Sequence, residues 1–97
     1  MTRFGDLLRA LASGDVDFIL VGGVAAAAHG SLRSTQDVDV VYSREVSNIE
    51  RVVGAIGPYH PYLRGAPAGL PFQFDVETLR AGLNFTLVTD LGWIDLL

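Results

Sequence analysis

The stretch from residue 17 to residue 41, DFILVGGVAAAAHGSLRSTQDVDVV, constrains this chain more than any other. An apolar run from Phe18 to Val21 stops at Gly22-Gly23, an alanine-rich segment follows, and a polar turn leads into Asp37-Val38-Asp39-Val40. The pattern predicts a strand, a tight turn, a helix and a second strand. Residues i and i+2 of a strand share one face about 7 Å apart, so Asp37 and Asp39 aim four oxygens at one region of space. The same alternation describes a half-buried strand with one solvated face. Glycines between strand and helix serve an ordinary turn, or they let the backbone approach a phosphate at a helix N-terminus. Mg²⁺ favours one or two carboxylates plus waters and substrate phosphates over a full protein cage, so a pair of fixed acids suits it.

Val21-Gly22-Gly23, thirteen intervening residues and Asp37-Val38-Asp39-Val40 together resemble the hG[G/S]…Dh[D/E]h signature of the nucleotidyltransferase superfamily with the DNA polymerase β catalytic fold. The longer pattern VGGxAxxxHGxxRxTxDVDV is similar to the minimal, AbiEii-like branch, which includes toxin components of bacterial toxin–antitoxin and phage-defence pairs. The resemblance implies an α/β (α+β) fold, a mixed β-sheet with flanking helices in the order αβαβα-ββ. It implies transfer of a nucleoside monophosphate from an NTP to an acceptor hydroxyl or phosphate, with Mg²⁺ or Mn²⁺ and release of pyrophosphate. Asp37, Asp39 and a third acid, Asp95 in Trp93-Ile94-Asp95-Leu96-Leu97, would be the catalytic and metal-binding residues. Asp90 is the rival third acid, but it sits in a Thr-Asp-Leu-Gly turn where a side chain capping its own backbone accounts for it.

By the same resemblance Gly22 and Gly23 shape a phosphate pocket. The family often has a serine directly after the first glycine, whereas here Gly23 and then Val24 follow. Backbone N–H groups, or Ser31, Arg33 or Thr35 from the turn before Asp37, would therefore hold the nucleotide phosphates. Arg33 is favoured because a guanidinium matches phosphate geometry, and a solvated loop arginine is the alternative. His29 beside Gly30 fits a helix C-terminal cap or a catalytic role, with capping preferred. The acceptor, whether tRNA, protein or small molecule, stays open, as does a cognate antitoxin protein as partner. A reading from another class is a catalytically silent module of this fold that binds a partner protein. Acidic net charge and the missing serine favour it, while clustered carboxylates, costly without metal or partners, oppose it.

The 97 residues fit one domain, 1–97, read either as a catalytic core without a C-terminal segment that relatives carry or as a very small member of the family. Apolar residues make up 49% and charged residues 19%, which suits a globular chain and excludes a disordered one. There is no lysine, and seven arginines face eleven acids for a net charge of −4, which works against extended nucleic-acid binding. Without cysteine there is neither disulfide nor zinc-thiolate site. No signal peptide or spanning helix is visible, so a cytoplasmic location without membrane contact is expected. Apolar Leu96-Leu97 at a sheet edge predicts a homodimer.

Phe4, Leu7, Leu8 and Leu11 at i, i+3, i+4 and i+7 predict a packing helix over 4–13. Val46, Ile49, Val52, Val53 and Ile56 predict a second over 45–56. All four prolines fall in 57–74, so an irregular loop is expected there, either a connector or a segment whose Tyr59, His60, Tyr62 and Arg64 touch substrate. A short helix over 75–81 and a hairpin of strands 83–89 and 93–97 complete the chain, the hairpin delivering Asp95 to the face of Asp37 and Asp39.

Overall fold

The computed structural model describes residues 3–21, 37–67 and 69–97, and of Asp37 the backbone. It begins with helix α1 (Phe4–Ser13), strand β1 (Phe18–Val21) and strand β2 (Asp37–Tyr42). Helix α2 (Val46–Ile56) follows, then a 3₁₀ turn (Gly57–Tyr59), strand β3 (Tyr62–Leu63), helix α3 (Val76–Ala81) and strands β4 (Phe85–Thr89) and β5 (Gly92–Leu96). The expected helix after β1 lies outside the described residues, with His29.

The strands form one mixed sheet in the order β1-β2-β5-β4-β3. β4 and β5 make the expected hairpin, and β5 also pairs parallel with β2, so the acid-bearing strands are neighbours in the middle of the sheet. Alternation then sorts the side chains. Val38, Val40 and Tyr42 of β2, Ile94 and Leu96 of β5 and Leu87 of β4 are buried in one cluster with Leu7 and Leu11 of α1, Ile49, Val52 and Ile56 of α2, and Leu79 of α3. All three described helices thus pack on one face. The opposite face carries Ile19, 66% exposed, with Val41, Asp39, Asp95 and Trp93.

The apolar stripe of α1 is as read, with Leu7 and Leu11 buried and Phe4 and Leu8 packed against them. In α2, Val46 is exposed rather than part of the stripe, and Asn48 takes the buried place beside Ile49. Its carboxamide ties two loops together: Oδ1 accepts from Asp17 N–H at 2.7 Å, and Nδ2 donates to the carbonyls of Asp17 and Ser43 at 3.1 and 2.9 Å. α3 starts one residue later than expected because Asp75 is its N-cap, accepting from Thr78 N–H at 2.8 Å.

The segment 57–74 is not wholly irregular. Tyr62 and Leu63 add a two-residue edge strand to β4, and the Tyr62 hydroxyl donates toward the Pro67 and Leu70 carbonyls, folding the loop back on itself.

Candidate active site

Strand register decides which acids meet. In the parallel pair β2–β5, Asp37 lies opposite Trp93 and Asp39 opposite Asp95. Both partners of a registered pair point to the same side of a sheet about 4.8 Å apart between strands, so Asp39 and Asp95 are adjacent on the face away from the helices. Asp37 is two residues before Asp39 in β2, and its side chain lies outside the described residues. β5 thus sets Asp95 beside Asp39, as expected, on a face that also carries Val41 and Trp93.

The environment of the two carboxylates is confined. Asp39 Oδ1 is shut off from solvent and meets no hydrogen-bond donor among the described residues, and Asp95 Oδ1 is buried as well. A buried carboxylate oxygen lacking a donor costs free energy that a cation would recover. Hard anionic oxygens in a pair match Mg²⁺ or Mn²⁺ chemistry. Among the described residues no cluster of three His, Cys, Asp or Glu side chains could hold a metal ion, and the side chain of Asp37 is not one of them.

Around the acids the sheet adds groups that spacing alone did not single out. The hairpin register sets Thr86 opposite Asp95 and Val88 opposite Trp93. Across β1, Val21 stands opposite Asp39. Aligning the hairpin about a two-residue Asp90-Leu91 turn places Thr86 opposite Asp95, whereas a three-residue turn ending at Gly92 sets Leu87 there; the pairing of β1 with β2 had no such local signal.

Gly22, Gly23, Ser31, Arg33 and Thr35, the expected phosphate contacts, lie outside the described residues. Of the loop residues expected to touch substrate, Arg64 reaches the acid face, its guanidinium carbon 4.9 Å from the centre of the Trp93 ring. Tyr59 packs against the core instead, and His60 pairs with Asp90, Nδ1 to carboxylate oxygen 2.6 Å. Asp90 does not cap its own turn. Thr89 does, its hydroxyl accepting from Leu91 N–H at 3.1 Å and donating to the Gly92 carbonyl at 2.8 Å.

A groove of about 730 Å³ lies on the helical side between α1 and α2, lined by Arg3, Arg9, Arg51 and Tyr59 among others. Two of its cations are already engaged, Arg3 and Arg9 both pairing with Asp6 at 2.6 and 2.9 Å. None of the groups on the acid face lines it.

No described helix is long and apolar enough to cross a membrane. Comparison of the chain with protein-family models, curated proteins and solved structures finds no match.

Proposed function

We propose that this chain is a metal-dependent nucleotidyltransferase that moves a nucleoside monophosphate from an NTP to an acceptor hydroxyl or phosphate and releases pyrophosphate. The observation that carries the reading is the register of Asp39 opposite Asp95 on the helix-free face, with Asp39 Oδ1 buried and without a donor among the described residues.

Asp37, Asp39 and Asp95 are the residues that would hold Mg²⁺ or Mn²⁺. When bound, divalent ions supply charge neutralisation for the triphosphate and lower the barrier to attack by the acceptor oxygen. The chain's own contribution is positional. β2 and β5, hydrogen-bonded in the centre of the sheet, fix the carboxylates on a rigid floor, and phosphoryl transfer draws most of its rate from such positioning and electrostatics. Val21 pairs with Asp39, and Gly22 and Gly23 follow it in the sequence; their backbone N–H groups would hold the nucleotide phosphates. Asp95, flanked by Thr86 on the far side, would hold the ion nearer the acceptor, which would ease loss of the acceptor hydroxyl's proton to solvent.

The test is thermal unfolding with Mg²⁺ or Mn²⁺ and each NTP, for the native chain and an Asp37→Ala/Asp39→Ala variant. A ligand at about 100 times its Kd adds about 2.7 kcal/mol of stability. A metal-dependent rise in Tm with one or more NTPs, absent in the variant, is the expected result. No rise with any NTP leaves the acid face without a nucleotide and refutes the assignment.

A further inference from the structure

The groove between α1 and α2 gathers positive charge in an acidic chain. Of seven arginines in a protein of net charge −4, Arg3, Arg9 and Arg51 all line it. Asp6 is the one acid among its described lining residues, and both of its oxygens are taken: Oδ2 by Arg3 Nε at 2.6 Å and Oδ1 by Arg9 Nη1 at 2.9 Å. A carboxylate gripped from both sides sets the two guanidinium groups in place while their side chains stay 64% and 72% exposed. Arg51, exposed on the α2 wall, makes no hydrogen bond or ion pair with any described residue. Three guanidinium groups against one carboxylate leave the groove positive.

Two glycines line the groove, for different reasons. A Cβ on Gly14 would meet the Ala55 Cβ at 2.9 Å, so that glycine lets the two helices approach. A Cβ on Gly54 would meet nothing within 4 Å. Gly54 sits inside α2, where glycine weakens a helix relative to alanine, and packing gives no reason for it. Its effect is to leave space beside Arg51, three residues earlier and so on the same side of α2.

We infer that this groove binds a small anion with two or more linked phosphates. A guanidinium offers a planar fork of N–H donors that matches phosphate oxygens, and three around one space suit several oxyanions in series. A volume of about 730 Å³ is that of a site for a whole small molecule rather than a single ion. Ser13 and Tyr59, which also line it, carry hydroxyls able to donate. The acidic remainder of the chain repels a long polyanion beyond the groove, which favours a compact one. An inorganic phosphate chain and a nucleoside polyphosphate share this chemistry. The helices cover the side of the sheet opposite Asp39 and Asp95, so the groove is separate from the acid face and the inference does not use the transferase reading.

Binding is measured by isothermal titration calorimetry in EDTA at about 0.15 M KCl, where diffuse attraction is screened and the metal-free acid face repels anions. Orthophosphate, tripolyphosphate and ATP are titrated into native protein, Arg51→Gln, Gly54→Leu and the Asp37→Ala/Asp39→Ala variant. Tripolyphosphate should bind saturably and about tenfold or more tighter than orthophosphate, the difference of at least one charge-assisted pair. Arg51→Gln should weaken it by a similar factor, about tenfold. Gly54→Leu should do so as well by filling the groove with a residue that favours helix, and unchanged far-UV circular dichroism checks both folds. The Asp37→Ala/Asp39→Ala variant should bind tripolyphosphate as native protein does. Tighter binding of ATP than of tripolyphosphate assigns a nucleoside polyphosphate as the source, and equal or weaker binding assigns the phosphate chain alone. No saturable binding, orthophosphate bound as tightly as tripolyphosphate, undiminished binding in Arg51→Gln or Gly54→Leu, or lost binding in the acid variant overturns the inference. Groove binding is independent of metal whereas the transferase reading requires metal, so the failure of either leaves the other standing.

Discussion

Replacing Asp39 by Asn should stabilise the metal-free protein. Asp39 and Asp95 are registered neighbours across the β2–β5 pair, each with one oxygen buried. At about 5 Å and an effective dielectric of about 20, two negative charges repel by about 3 kcal/mol. The Asn side chain keeps the shape, removes that repulsion and brings an N–H donor to face the remaining carboxylate. Desolvating the new amide returns about 1–2 kcal/mol of cost, so the net gain expected is about 1–2 kcal/mol. For a chain of this size each kcal/mol moves Tm by about 4–8 °C. Urea unfolding followed through Trp93 emission, in EDTA and again with saturating Mg²⁺ or Mn²⁺, measures both sides of the balance. In EDTA the variant should have the higher midpoint at unchanged slope. With metal the native protein should gain and the variant should not, so the ranking narrows or reverses. An Asp39→Asn protein less stable than native in EDTA would mean that the Asp39 carboxylate makes a favourable contact of its own, and the cation argument would lose its physical basis. Stability given up at a functional position is the expected trade when a site must hold like charges together.

Two further outcomes follow from the packing. Asn48→Ala removes three hydrogen bonds that join α2 to the Asp17 and Ser43 loops and should cost about 2–3 kcal/mol, with Asn48→Asp worse because a carboxylate cannot donate to the two carbonyls; chemical denaturation measures both. Asp75 has its carboxyl held below the ordinary range, first by the backbone N–H of Thr78, so its contribution to stability is complete above the unfolded value near 3.9 and is lost as pH falls through the lower folded value. Tm measured between pH 7 and pH 2 should therefore fall less steeply on the acid side in Asp75→Asn than in native protein.

Local periodicity carried most of the helical reading and little of the sheet order. The stripe Phe4, Leu7, Leu8, Leu11 located α1 because a helix reports its buried face within two turns. The hairpin was legible because β-forming alternation flanks a short turn. Nothing local announces that β5 inserts between β4 and β2, since that choice is made by whole faces burying one another; only the resemblance implied that Asp95 would reach Asp39. The two-residue strand β3 was hidden among prolines and glycines, its conformation fixed by β4 rather than by its own propensity. Thr89 displaced Asp90 as the turn's cap because the hydroxyl, one residue earlier, reaches both Leu91 and Gly92. Arg64 is expected in a loop that either touches substrate or merely connects; the unforeseen element is the tryptophan beneath it, brought there from β5 by pairing.

The parallel joint of β2 and β5 also sets the order of events in folding. Asp39 and Asp95 are 95 − 39 = 56 residues apart, and every contact between their strands closes a loop of about that length. Loop closure of this kind is entropically late and slow compared with helix growth or hairpin formation. The hairpin β4–β5 and the pair β1–β2 are each antiparallel and can form alone, so a collapsed intermediate would hold one acid on each of two separate pieces. The repulsion between them is then felt only as the pieces dock, which makes it part of the last barrier and makes divalent cations accelerants of that step. In stopped-flow refolding, the slow phase should quicken with Mg²⁺ while the unfolding arm is unchanged or slows.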